Sequence, residues 1–133
     1  MTDRTATIAE LQALLRDFAR ERDWEQFHHP KDLGLALAVE VGELLDHFRF
    51  LANEQIGAKL ADPAGRRAVA HELADVAGLA LRLADVMGID LAAAIEEKTA
   101  LAAAKYPVEL VRGLPHKYTH YQNAARGDQP RRD

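Results

Sequence analysis

The sequence predicts an all-α protein, a four-helix bundle. Two observations carry the helical part. Apolar residues recur every three or four positions through most of the chain, and alanine and leucine dominate a composition with only 6% aromatic residues. A third observation concerns function. Two pairs of carboxylates, Glu40/Glu43 and Glu72/Asp75, each stand three residues apart inside otherwise aliphatic runs. On a helix such a pair shares one face, where like charges repel and apolar neighbours raise the cost of ionisation.

The first helix is expected from just after Thr7 to about residue 22. Ile8, Leu11, Leu14, Leu15 and Phe18 form its stripe, and Thr7 with Glu10 reads as a capping box. A loop follows with the single tryptophan of the chain, Trp24, near Phe27, His28 and His29. Two readings apply to its aromatic rings: they cap the bundle, the simpler account from the residues alone, or they stack a nucleobase. The two histidines lack a partner at metal-ligand spacing.

The second helix is expected from Asp32, as N-cap, to about Leu51, with Glu40 and Glu43 on or beside its apolar face. Residues 53–60 read as at most a short helical turn. Asp62-Pro63 opens the third helix, with proline at its first position, and Gly88 closes it after Met87. Along that helix Glu72, Asp75, Leu79 and Arg82 follow one stripe. Asp90 caps a fourth helix that reaches Lys105 and stops at Tyr106-Pro107. From Val108 the pattern fades into an extended or looping segment. One domain over 1–122 and a disordered polar tail over 123–133 are expected.

Composition narrows the classes. A chain of 133 residues fits one domain, and its net charge of −4 argues against a nucleic-acid partner. The absence of cysteine removes disulfides, thiolate nucleophiles and cysteine zinc sites. No apolar run is long enough for a membrane span, and a cytoplasmic location is expected. Two facing acidic pairs suit a hard cation, Mg²⁺ or Mn²⁺, which bridges carboxylates to substrate phosphates. A glutamate not fully engaged by metal is available as general base. A di-iron site is disfavoured, because Asp46 and Asp75 stand where a Glu-x-x-His pattern needs histidine. Lys98 and Lys105 read from composition as solvated lysines.

Several stretches together resemble the MazG-like, all-α nucleotide pyrophosphohydrolases, and within them the dCTP pyrophosphatase group. These are Arg22-Asp23-Trp24-Glu25-Gln26-Phe27-His28, Glu40-Val41-Gly42-Glu43-Leu44, Glu72-Leu73-Ala74-Asp75-Val76, Lys105-Tyr106-Pro107-Val108, Arg112-Gly113 and Lys117-Tyr118-Thr119. The resemblance implies hydrolysis of a nucleoside triphosphate, a pyrimidine such as dCTP, to the monophosphate and pyrophosphate. It implies Mg²⁺ on Glu40, Glu43, Glu72 and Asp75, with Glu40 and Glu43 also catalytic. It implies phosphate contacts from Lys98 and Tyr106, base contacts from Trp24 and also from Phe27 and His28, and a homotetramer. Leu79 replaces a usual aromatic, Ala102 a usual asparagine and Phe50 a usual tryptophan, and Pro30-Lys31-Asp32-Leu33 a usual Pro-Arg-Asn-Leu. These departures touch the base pocket and one phosphate contact, so hydrolysis is better supported than the choice of base. They also leave a catalytically weak nucleotide-binding helical oligomer as the alternative.

Overall fold

The computed structural model describes residues 1–115 together with Thr119 and Gln122, and the described residues are helical, with no strand among them. Lys117, Tyr118 and the expected tail over 123–133 lie outside the described residues. The chain divides into two compact units, Met1–Leu91 and the residues from Ala92 onward.

In the first unit, α1 spans Ile8–Glu21. The capping box at its start is formed: Glu10 N–H donates to Thr7 Oγ1 at 3.2 Å, and Thr7 N–H donates to Glu10 Oε2 at 2.7 Å. The bond from the Thr7 backbone, followed by that from its side chain, holds the Glu10 carboxyl below its ordinary range. After α1 the backbone turns through Asp23, a non-glycine residue at φ 54°, into a 3₁₀ turn over Glu25–Phe27. Aspartate tolerates this left-handed conformation better than most residues.

The second helix, α2, spans Pro30–Asp46 and differs from expectation at both ends. His29, not Asp32, is the N-cap residue. Pro30 enforces extended backbone on the residue before it, and His29 sits at ψ 147°. Proline then occupies the first turn, where its missing N–H costs nothing. Asp32 lies inside that turn, where the helix dipole favours a negative charge. The helix ends five residues earlier than expected, and turns carry the chain through Phe50.

Residues Asn53–Ala61 form a complete helix, α3, rather than a single turn. Gln55 Oε1 accepts the Ala52 N–H at 2.8 Å and secures its entry. The longest helix, α4, spans Pro63–Met87. Both of its signals hold: Asp62 Oδ2 accepts the Gly65 N–H at 2.8 Å, and Gly88 adopts φ 66° as the C-terminal stop. The tight entry makes Gly65 sensitive. A Cβ there would stand 2.5 Å from the Lys59 carbonyl oxygen. Gly65→Ala is therefore expected to lower stability by about 1–3 kcal/mol, the usual cost of overpacking, despite alanine's better helix propensity. Urea denaturation checks this; an unchanged or raised midpoint contradicts it.

Within this unit α4 packs against α2, α1 and α3. Ala19, Leu33, Val69 and Ala84 are the buried apolar residues. Helix α2 is apolar on more sides than α4 covers. Leu35 and Val39 make one exposed stripe a turn apart, and Val41 and Leu45 make another; Leu35 is 61% exposed.

In the second unit α5 spans Leu91–Lys105. A four-residue helix, α6, follows over Val108–Val111, where an extended segment was expected. Pro107 precedes it with extended backbone and starts the turn. Among the described residues no helix is long and apolar enough to cross a membrane.

Candidate active site

One turn of α2 and one turn of α4 bring together Glu40, Glu43 and Glu72. A carboxylate oxygen from each lies within 4.8 Å of the others. Three features set the chemistry of this cluster. Glu72 Oε2 is buried and has no hydrogen-bond partner. A buried carboxylate oxygen without a partner carries its full desolvation penalty unless something electropositive meets it. Glu40 is pushed above the ordinary carboxyl range, first by burial and then by the negative charges of Glu43, Asp75 and Glu72. A hydrogen bond with Glu43 adds to the same effect. The donor set is all oxygen and all anionic, which suits a hard divalent cation and no soft one.

Asp75, one turn beyond Glu72, stands outside this tight group of oxygens. Its charge still reaches Glu40, and its side chain lines an adjoining pocket of about 240 Å³. Leu15 and Phe18 of α1, Trp24 and His28 of the connecting segment, and Ala74, Gly78, Leu79 and Arg82 of α4 form the other walls. Phe18 and Trp24 meet edge to face with ring centroids 5.8 Å apart, and the Arg22 guanidinium sits 3.7 Å over the Phe18 ring. Trp24 is 46% exposed, so its ring is open to a ligand rather than sealed in a core. Phe27 is exposed and does not line this pocket.

The floor is a charged network of which only His28 was expected at the site. Arg82, 7% exposed, donates from Nε to His28 Nδ1 at 3.0 Å and from Nη1 to Asp85. Asp85 also accepts from Arg16, at 2.6 Å from Nη2 and 3.1 Å from Nε. The Arg16 hydrogen bond is the main reason that the Asp85 carboxyl sits below its usual range. Burial, then the Arg82 charge, lowers the His28 pKa, with Glu25 opposing. Neutral His28 accepts at Nδ1, which leaves its proton on Nε2. The available signal for Arg82 was its place on the same stripe as Glu72, Asp75 and Leu79. Nothing in the spacing tied it to Asp85, Arg16 and His28 as a group.

Both lowered groups give the same sign of pH dependence. His28 contributes stability that is complete above its unfolded pKa of about 6.5 and is lost as pH falls through its depressed folded value. Asp85 does the same from about pH 3.9 downward. Thermal unfolding is therefore expected to show a first loss of stability just below pH 6.5, removed by His28→Gln. A flat profile from pH 7 to pH 5 contradicts it.

Of the other expected site residues, Lys98 lies on α5 and Tyr106 just beyond its end. Both are exposed and belong to the second unit.

The chain that carries this cluster and pocket has clear relatives. A family model described as the MazG-like family matches residues 35–120. The chain is 40% identical over 119 residues to dCTP pyrophosphatase 1 of Bos taurus, covering 90% of this chain and 70% of that protein. It is 38% identical over the same length and with the same coverage to dCTP pyrophosphatase 1 of Homo sapiens. The crystal structure of a pyrophosphatase from Archaeoglobus fulgidus superposes with a TM-score of 0.70 at 31% identity, covering 80% of this chain and 98% of the other. Fold, site and relatives together define an enzyme that hydrolyses a phosphoanhydride, a nucleoside triphosphate pyrophosphohydrolase. The chain belongs to the MazG-like family.

Proposed function

We propose that the protein is a Mg²⁺-dependent pyrophosphohydrolase that cleaves a deoxynucleoside triphosphate, a pyrimidine such as dCTP, to the monophosphate and pyrophosphate. The observation that carries this reading is the unpartnered, buried Glu72 Oε2 beside Glu40 and Glu43, one turn from a pocket sized for a base. The similarity to dCTP pyrophosphatases supports the substrate class.

Glu40, Glu43 and Glu72, with Asp75 one turn beyond, are the residues that would hold Mg²⁺, with Mn²⁺ as a substitute. When bound, the cation neutralises phosphate charge and makes water a better nucleophile. The remaining work falls to the protein. Glu40 and Glu43 divide two tasks, ligation and acceptance of the proton from the attacking water. The raised pKa of Glu40 brings it nearer the working pH that a general base needs. Trp24 and His28 hold the base, which fixes the α-phosphorus relative to the carboxylates. The assignment of phosphate contacts to Lys98 and Tyr106, which lie in the second unit, rests on the family resemblance. A role in sanitising the cytoplasmic nucleotide pool follows from this reaction.

The exposed stripes of α2 support a homo-oligomer, the expected tetramer. A helix that is apolar on nearly all sides is stable only when covered on all of them. Sedimentation velocity at micromolar concentration tests it, a monomer being the contrary result.

Phosphorus NMR of the reaction on dCTP distinguishes the proposed cleavage from others. The expected products are dCMP and pyrophosphate. A diphosphate with free phosphate refutes the cleavage site, and nucleotide binding without product favours a binding-only protein. Magnesium is also expected to raise the melting temperature, by about 2.7 kcal/mol of added stability at a hundredfold excess over its Kd. No shift, measured against EDTA, counts against the cluster as its site.

A further inference from the structure

We infer that Arg82 is a specificity-determining residue, which selects bases that present two adjacent hydrogen-bond acceptors on one edge. This deepens the proposed function and rests on that reading for the pocket's occupant. Cytosine, through N3 and O2, and guanine, through O6 and N7, have such an edge. Adenine sets a donor beside each acceptor of its exposed edges, and thymine interposes its N3–H between two carbonyls.

The argument begins with what Arg82 has left to give. A guanidinium carries five N–H donors. Hydrogen bonds to His28 Nδ1 and Asp85 take two of them. Glu25 Oε1 lies 3.6 Å from Nη2, an ion pair beyond hydrogen-bond distance. Donors on the η nitrogens therefore remain, on a side chain that is 7% exposed and lines the pocket. Asp85 and Glu25, which also pair with Arg16 and Arg20, already offset part of the charge of Arg82. The fork is thus suited to reading hydrogen-bond acceptors rather than to serving as counter-ion for a phosphate.

The rest of the wall agrees. With Nδ1 occupied, His28 offers only its Nε2–H, and the Trp24 indole offers only a donor. Phe18, Trp24 and Leu79 supply the apolar faces between which a flat ring fits. Among the lining side chains, with His28 Nδ1 already taken, only Asp75 remains as an acceptor, on the side of the carboxylate cluster. The pocket is therefore rich in donors and poor in acceptors. Arg82 is also held still: Asp85, its main partner, is gripped by both Nε and Nη2 of Arg16. A fork fixed in this way discriminates by geometry.

Trp24 is the sole tryptophan and stands in the pocket wall, so its fluorescence reports occupancy. The test titrates dCMP, dGMP, dAMP and dTMP into the full chain. Tighter binding of dCMP and dGMP is expected, by about five- to 150-fold over the other two, the range that a bidentate arginine gives in base readout. Arg82→Lys keeps the charge beside Asp85 but loses the fork, so the ratio is expected to fall toward one. Arg82→Met is expected to do the same where it folds. A merely structural role for Arg82 would weaken all four nucleotides together and leave the ratio intact. Equal binding of the four by the wild-type protein, or an unchanged ratio in a folded Arg82→Lys, overturns the inference. Selectivity without any pyrophosphate release would sink the proposed reaction and leave the inference standing. Release of pyrophosphate with no selectivity sinks the inference alone.

Discussion

Glu40→Gln is expected to lower pyrophosphate release by about 10²–10⁴-fold, the range for loss of a positioned proton acceptor. The same substitution is expected to raise the melting temperature in EDTA. The two effects share one cause. The Glu40 carboxyl is pushed up by burial and by Glu43, Asp75 and Glu72. A group with a raised folded pKa contributes stability below its unfolded value, about 4.3, and that contribution is lost as pH rises through the folded value. Above that folded value the ionised side chain works against the fold, and glutamine removes the charge while keeping the shape. Stability is sacrificed for a site that wants a cation. Steady-state assays with Mg²⁺, and melting with EDTA, test the pair of effects. Near-normal turnover, or a lower melting temperature in EDTA, contradicts the role given to Glu40.

Asp85→Ala is expected to cost about 3 kcal/mol of stability. Breaking a buried ion pair leaves an uncompensated charge, at about 3–5 kcal/mol. Asp85 and Arg82 are 14% and 8% exposed at their side chains, and Arg16 is 37% exposed, so the lower end of that range applies. Arg82 would retain only the more distant Glu25 as an anionic partner. Urea denaturation with a common slope measures the loss; a change below about 1 kcal/mol would show that the network is held by something else.

Local signals were the legible part of the fold. Thr7 with Glu10, Asp62 with Pro63, and Gly88 each act within one turn, and each sits where the pattern placed it. The start of α2 was misplaced because two local signals competed, Asp32 as cap and Pro30 as breaker, and proline at the first helical position prevailed. Residues 108–111 lack periodicity because one turn is too short to show any, and α6 was missed for that reason. Within the site, Glu40, Glu43, Glu72 and Asp75 stood out because charge inside an apolar run is locally visible. The Arg16–Asp85–Arg82–His28 network did not, since Arg16 and Asp85 are 69 residues apart and His28 and Arg82 are 54 apart. Periodicity carries no information at that range. It also cannot say whether an apolar residue such as Leu35 faces its own chain or another copy.

Pyrophosphate release from a panel of ribo- and deoxyribonucleoside triphosphates, run with Mg²⁺ and with EDTA, is the most direct measurement. Metal-dependent release from one or a few of them, with monophosphate as co-product, is the expected result. Release that persists unchanged in EDTA, or none from any triphosphate by the folded protein, would contradict it.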